Sequence, residues 1–265
     1  MRDALLRSRC SSRDWRVWCA RAQEDAVWSQ TRTHAQRVQT ASLALQRFCD
    51  GARGYIGVSW GKDSCAVLLM ALRLGIDWPL VHIDLDPVRN PDCFATRDAW
   101  LERFPELAAR YHEITVRCEP KVSTQRYDTN AAYAQGFADA RRRFGSRYVS
   151  GVRAEEAGTR ERAMRKLGRG DSESATGRPI GWWTSSDVFA FCRDVPLAPA
   201  YPCTLGGAYD RGRVRVNNLW GLYGEGHGRR EWEARYYGHE IALLRQRFDD
   251  PTADPRKRHN HQSGY

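Results

Sequence analysis

The stretch YIGVSWGKDSCAVLLMALRLG, residues 55–75, decides the fold. Tyr55 to Ser59 is a short apolar run that reads as a buried strand. Cys65 to Leu74 is apolar and unbroken and reads as a helix stopped by Gly75. Between them stands Ser59-Trp60-Gly61-Lys62-Asp63-Ser64. A turn from strand to helix leaves backbone N–H groups without helical partners and aims them, with the positive end of the helix dipole, at whatever lies in front. Phosphate satisfies such a turn. Gly61 permits close backbone approach, Lys62 supplies a point cation, and the hydroxyls of Ser59 and Ser64 can donate to anionic oxygens. The spacing GxxxxGK[ST] of a Walker A loop does not occur.

Outward from this unit the alternation repeats. Leu80 to Leu85 predicts a second strand, Pro91 to Phe104 a helix, Tyr111 to Arg117 a third strand, Asn130 to Phe144 a helix and Arg147 to Val152 a fourth strand. Strands alternating with helices predict an α/β, Rossmann-like parallel sheet with helices on both faces, whose ligands bind beyond the carboxyl ends of the strands. Residues 1–50 read as a helical N-terminal segment. Its best-defined helix runs from His34 to Phe48, with Val38, Leu45 and Phe48 near one face. Residues 51–200 form the α/β core, with a further helix in TSSDVFAFCRD capped by Thr184 or Ser185. Residues 201–265 are expected to be irregular apart from a helix at Arg229 to Tyr237, and to end in a basic, frayed tail.

Composition agrees with a globular chain: 265 residues, 42% hydrophobic and 28% charged. No stretch approaches the roughly 18 apolar residues of a membrane span, and the charged start is unlike an export signal. A cytoplasmic protein without a membrane partner is expected. Lys plus Arg number 42 against 32 Asp plus Glu, a net charge of +10 carried almost wholly by Arg. Nucleotide phosphates, sulfate esters and nucleic acid are therefore candidate ligands. None of the eight cysteines stands in a CxxC pair, so neither zinc nor an iron–sulfur cluster is expected, and the thiols read as reduced.

The loop resembles the PP-loop, SGGKDS, of the N-type ATP pyrophosphatases (the adenine nucleotide alpha-hydrolase superfamily), with Trp60 in place of one glycine. Two further blocks are similar to the phosphoadenosine phosphosulfate (PAPS) reductase-like branch of that superfamily. One is Gly151-Val152-Arg153-Ala154-Glu155-Glu156 with Arg160. The other is Arg178-Pro179-Ile180 with Trp183-Thr184, Asp187-Val188 and Pro199-Ala200-Tyr201. The resemblance spans about residues 40 to 205. It implies an adenine-nucleotide fold that binds ATP and Mg²⁺, splits ATP between its α and β phosphates and releases pyrophosphate. The nucleotide would lie on Ser59, Trp60, Gly61, Lys62, Asp63, Ser64 and Gly151, with Arg153 and Arg160 facing its anionic end and Asp84 near the adenosine. Lys62, Arg153 and Arg160 are the candidate catalytic cations, and Asp63 is a candidate Mg²⁺ ligand. Homodimers are common among such relatives, and the resemblance carries that expectation here.

Three functions compete. A PAPS reductase of this branch needs a cysteine in a C-terminal segment of the type ECGxH, whereas the last cysteine here is Cys203. The intact GKDS favours ATP, and hence an ATP pyrophosphatase that adenylates an acceptor in sulfur metabolism or nucleic-acid modification; no residue identifies that acceptor. The alternatives are a sulfonucleotide reductase using Cys203 or a partner's thiol, and a non-catalytic nucleotide- or nucleic-acid-binding subunit. His227 could face a substrate. Trp182, Trp183, Tyr201 and Tyr223 could stack on a base or pack in the core.

Overall fold

A computed structural model describes residues 2–121, 126–167, 175–219 and 228–249. After three helices, α1 (Arg2–Arg7), α2 (Ser12–Ser29) and α3 (Arg32–Cys49), the chain enters β1 (Gly54–Gly57), α4 (Lys62–Arg73), β2 (Leu80–Asp86), α5 (Pro91–Arg103) and β3 (Tyr111–Arg117). A two-stranded antiparallel ribbon, β4 (Pro120–Lys121) with β5 (Arg126–Tyr127), leads to α6 (Thr129–Phe144) and β6 (Arg147–Val149). Then come α7 (Gly158–Leu167), β7 (Thr176–Gly177), α8 (Ser185–Phe191), α9 (Arg229–Tyr236) and α10 (Gly238–Asp249). Five strands form one parallel sheet in the order β3-β2-β1-β6-β7.

From β1 the chain moves out to β2 and β3, then returns to lay β6 on the other side of β1. The strand order reverses there, and the crevice between β1 and β6 is where a parallel sheet takes its ligand.

Register assigns the faces. Gly57 pairs with Val81 and Tyr55 with Tyr148, so Tyr55, Gly57, Val81, Ile83 and Tyr148 share one side, which α6 covers. Gly136 lets α6 come down onto that side, since a Cβ there would lie 2.5 Å from Ile83 Cγ2. His82 and Asp84 have the opposite parity and face α5, whose Cys93 Sγ lies 3.6 Å from His82 Nε2. A single hydrophobic cluster joins Leu6 and Trp18, the sheet, and Trp232 and Leu244.

Several elements differ from the sequence reading. The fourth strand ends at Val149 and not at Val152. The helix after β1 begins at Lys62 instead of Cys65, so Lys62, Asp63 and Ser64 form its first turn. The C-terminal region holds two helices, not one; α10 follows directly after Tyr237, and Ile241 and Leu244 bury its inner face. β7 has two residues, too few to show a strand period.

The N-terminal helices are fixed to α8 by a buried carboxylate. Asp187 accepts from Trp28 Nε1 at 2.8 Å, from Thr184 N at 2.7 Å and from Thr184 Oγ1 at 2.8 Å. Arg37 lies 2.5 Å and His34 Nδ1 3.3 Å from it. Burial raises the Asp187 pKa, but the bonds from His34, Thr184 and Trp28 prevail and hold it well below the usual carboxylate range. A carboxyl so depressed stabilises the fold above the unfolded-state value near ~4 and loses that contribution as pH falls further. Asp187→Ala strands several buried donors and is expected to lower the unfolding free energy by about 3–5 kcal/mol at pH 7. Urea denaturation reads the loss, and the gap between wild type and variant should narrow below about pH 4.

Candidate functional site

The loop after β1 is held open by its own backbone. Trp60 has φ of 56°, in the left-handed region where a side chain costs about 1–2 kcal/mol. Burial of the indole offsets that cost: Trp60 is fully enclosed, its ring 5.6 Å from that of Tyr111. The indole therefore points into the core and not into the crevice. Gly61 is the N-cap of α4 and offers no side-chain cap. Ser64 Oγ accepts from Ser59 N at 3.1 Å and donates to Gly61 O at 3.0 Å, closing the loop on itself. Lys62 N donates to Tyr201 Oη at 2.6 Å.

Behind the loop lies an ion cluster. Asp63 takes Lys62 Nζ at 2.8 Å on one oxygen and Arg153 Nε at 2.6 Å on the other. Arg153 also meets Glu155 at 2.5 Å and donates to Trp183 O at 3.2 Å. Lys62 and Arg153 are almost wholly buried. Burial raises the Asp63 pKa, yet the charges of Lys62 and Arg153 outweigh it and the net direction is down. Gly151, beyond β6, makes this approach possible: a Cβ there would sit 2.8 Å from Asp63 C and 2.9 Å from Ser64 N.

In front of the loop is a cavity of about 380 Å³ with two unlike ends. Its polar end is the loop from Ser59 to Ser64 without Trp60, together with Ser150, Gly151, Glu156, Arg160 and Arg215. Its apolar end is Tyr55, Val81, Ile83, Tyr133, Phe137 and Tyr148, on the side of the sheet beneath α6. Gly57 joins them: a side chain there would fill the passage, where a Cβ now meets only Val149 O at 3.4 Å and Tyr148 at 4.0 Å. Burial pushes the Tyr55 and Tyr133 hydroxyls up to about 12, so both are neutral at physiological pH. The segment Val214–Leu219 closes the top. Asn217 Nδ2 donates to Tyr133 Oη at 2.8 Å and Leu219 N to Val88 O at 2.7 Å.

Of the residues singled out in the sequence, Ser59, Gly61, Lys62, Asp63, Ser64, Gly151 and Arg160 line the cavity. Arg160 is paired with Glu156. Arg153 stands one layer behind, acting on the cavity through Asp63. Trp60 packs in the core. Asp84 does not line the cavity: it lies on the opposite side of the sheet from Val81 and Ile83 and pairs with Arg89 at 3.0 Å. Tyr201 reaches the site through its hydroxyl, Trp183 packs beside Phe191, and Trp182 is partly exposed. His227 and Tyr223 lie outside the described residues. Asp63, the candidate Mg²⁺ ligand, has a cation on each oxygen, and no group of three or more potential metal ligands occurs among the described residues.

Sequence reasoning passed over Tyr55, Tyr133, Phe137, Arg215 and Asn217. Only Arg215 left a usable sign: in Arg213-Val214-Arg215-Val216-Asn217 the valines are buried and the polar residues between them are not.

No protein family model matches this chain, and no curated protein matches it. Among solved structures, the NMN synthetase of Francisella tularensis is similar to 81% of this chain and 93% of its own, with 18% identity and a TM-score of 0.45. Neither result assigns a chemistry to the cavity. The described residues include no helix long and apolar enough to cross a membrane.

The close approach at Gly151 gives a direct test. Gly151→Ala forces backbone against backbone and should cost about 1–3 kcal/mol of stability by urea denaturation. Gly158→Ala, where a Cβ meets nothing within 4 Å, should stay within about 0.5 kcal/mol of wild type.

Proposed function

We propose that the cavity binds ATP and that the chain is an ATP pyrophosphatase of the PP-loop type, similar to the PAPS reductase-like branch, which transfers adenylate to an acceptor. The observation that carries this reading is the uncapped start of α4, set at the strand-order reversal between Gly61 and Gly151 and facing a cavity whose far end is aromatic. The first-turn N–H groups of Asp63 and Ser64 have no carbonyl of their own helix to bind, and with the helix dipole they favour an anion. Phosphates would occupy that end. The purine would lie among Tyr133, Phe137 and Tyr148, where apolar and aromatic walls take a flat ring.

In the reaction proposed, an acceptor oxygen attacks the α-phosphorus in line. The new O–P bond forms as the bond to the bridging oxygen breaks, and pyrophosphate departs with the electron pair. Lys62 and Arg160 stand where that charge develops, and fixed cations in a partly dry site lower such a barrier. Magnesium would supply further charge neutralisation. The described residues do not fit a protein-held metal, because both Asp63 oxygens already carry a cation, and no step here depends on it. The acceptor could be a small acid or oxyanion, or a carbonyl on a nucleic-acid base.

A reductase reading has less support. Cys203 is fully buried, donates to Pro199 O and does not line the cavity. Pyrophosphate release from ATP tests the proposal, with cell extract supplying the acceptor. Lys62→Ala should reduce the rate about 100-fold or more, whereas Cys203→Ser should leave it within twofold. Absence of ATP binding by calorimetry would remove the reading.

A further inference from the structure

At the phosphate end of the cavity the visible charges cancel in pairs. Lys62 and Arg153 share Asp63, Arg153 also meets Glu155, and Arg160 pairs with Glu156. Three cations are thus matched by three carboxylates. Arg215 is the exception. It lines the same cavity, it is half-buried, and it has no hydrogen bond or ion pair among the described residues.

Its backbone is nonetheless well fixed. Upstream, Arg211 makes a two-point ion pair with Asp25 at 2.6 and 2.7 Å. Val214 and Val216 are buried on either side of it, and Val216 Cγ2 lies 3.6 Å from where a Cβ would stand on Gly61, the N-cap of α4. Downstream, Asn217 is tied to Tyr133 and Leu219 to Val88. Arg215 is therefore carried by a braced segment that touches the anion-binding turn, while its guanidinium has no partner among the described residues.

We propose that Arg215 grips the β,γ end of the bound nucleotide and makes the cavity select a triphosphate over a monophosphate. This assignment rests on the reading of the cavity as a nucleotide site. The start of α4 and its paired cations suffice for one phosphate. The added charge of a longer phosphate chain needs a cation not already neutralised, and a guanidinium fork binds phosphate oxygens in pairs.

Calorimetry with ATP, inorganic pyrophosphate and AMP, on wild type, Arg215→Ala and Arg215→Lys, tests the assignment. Arg215→Ala should weaken ATP and pyrophosphate about tenfold or more and leave AMP within twofold, with Arg215→Lys recovering part of the loss. The melting temperature should not move, because the side chain holds none of the described residues in the free protein. Equal loss for ATP and AMP, no loss for either, or a variant that melts several degrees lower would each overturn the assignment. Wild-type protein that binds ATP as well as Arg215→Ala does would remove Arg215 and spare the nucleotide reading. Wild-type protein that binds none of the three would remove both.

Discussion

One carboxylate carries the geometry of the site. Asp63, beside Lys62 in the first turn of α4, binds Arg153 from the segment after β6, so it ties together the two strand ends that border the crevice. Buried charges are tolerable only when the whole cluster is satisfied, and removing one partner strands the others. The linkage does not stop there. Arg153 reaches Glu155, whose carboxylate also accepts from Ser185 N at 2.7 Å at the start of α8. At that same helix start Asp187 holds Trp28, His34 and Arg37. A continuous polar path thus runs from the candidate phosphate turn to α2 and α3, which are tied to the start of α8.

The division of the cavity into polar and apolar ends follows from strand parity and two glycines. Residues on the α6 side of β1 alternate Tyr55, Gly57; the first supplies an aromatic floor and the second leaves the space above it. Gly136 brings α6 close enough to Ile83 to wall that space. The polar end is made of a turn and a helix start, where unpaired N–H groups are inevitable, and it has a glycine of its own, since a Cβ on Gly151 would sit 2.8 Å from Asp63 C.

What was legible in the sequence was whatever lies within one short segment. The strand, turn and helix of residues 55–75 declare themselves through an apolar run, a polar hexapeptide and a glycine stop, and the parallel order follows from repeated alternation. Facts that depend on two distant segments were not legible. The resemblance set Asp84 near the adenosine, but the register of β2 against β1 puts it on the side away from the cavity. The direction of the Trp60 indole turns on the sign of one backbone angle, which the letters WG do not disclose. Arg215 and Tyr133 stand about eighty residues apart in the chain and share a wall only because Asn217 and Tyr133 meet.

The thiols bear on the kind of chemistry this wall can host. No cysteine lines the cavity. Cys93 Sγ donates to Ser59 O at 3.2 Å, but it is buried against His82 behind the sheet. Burial raises the pKa of Cys65, Cys93 and Cys203, and a thiol held protonated in an apolar setting is a poor nucleophile. A thiol-based reduction by one of these side chains would need it to leave the core. Adenylate transfer asks for no such movement. It needs a fixed anion site, cations at its edge and an acceptor that arrives from outside, and a rigid loop closed by Ser59 and Ser64 is suited to that demand. The cavity wall thus offers a place for an anion to be held but no thiol to react.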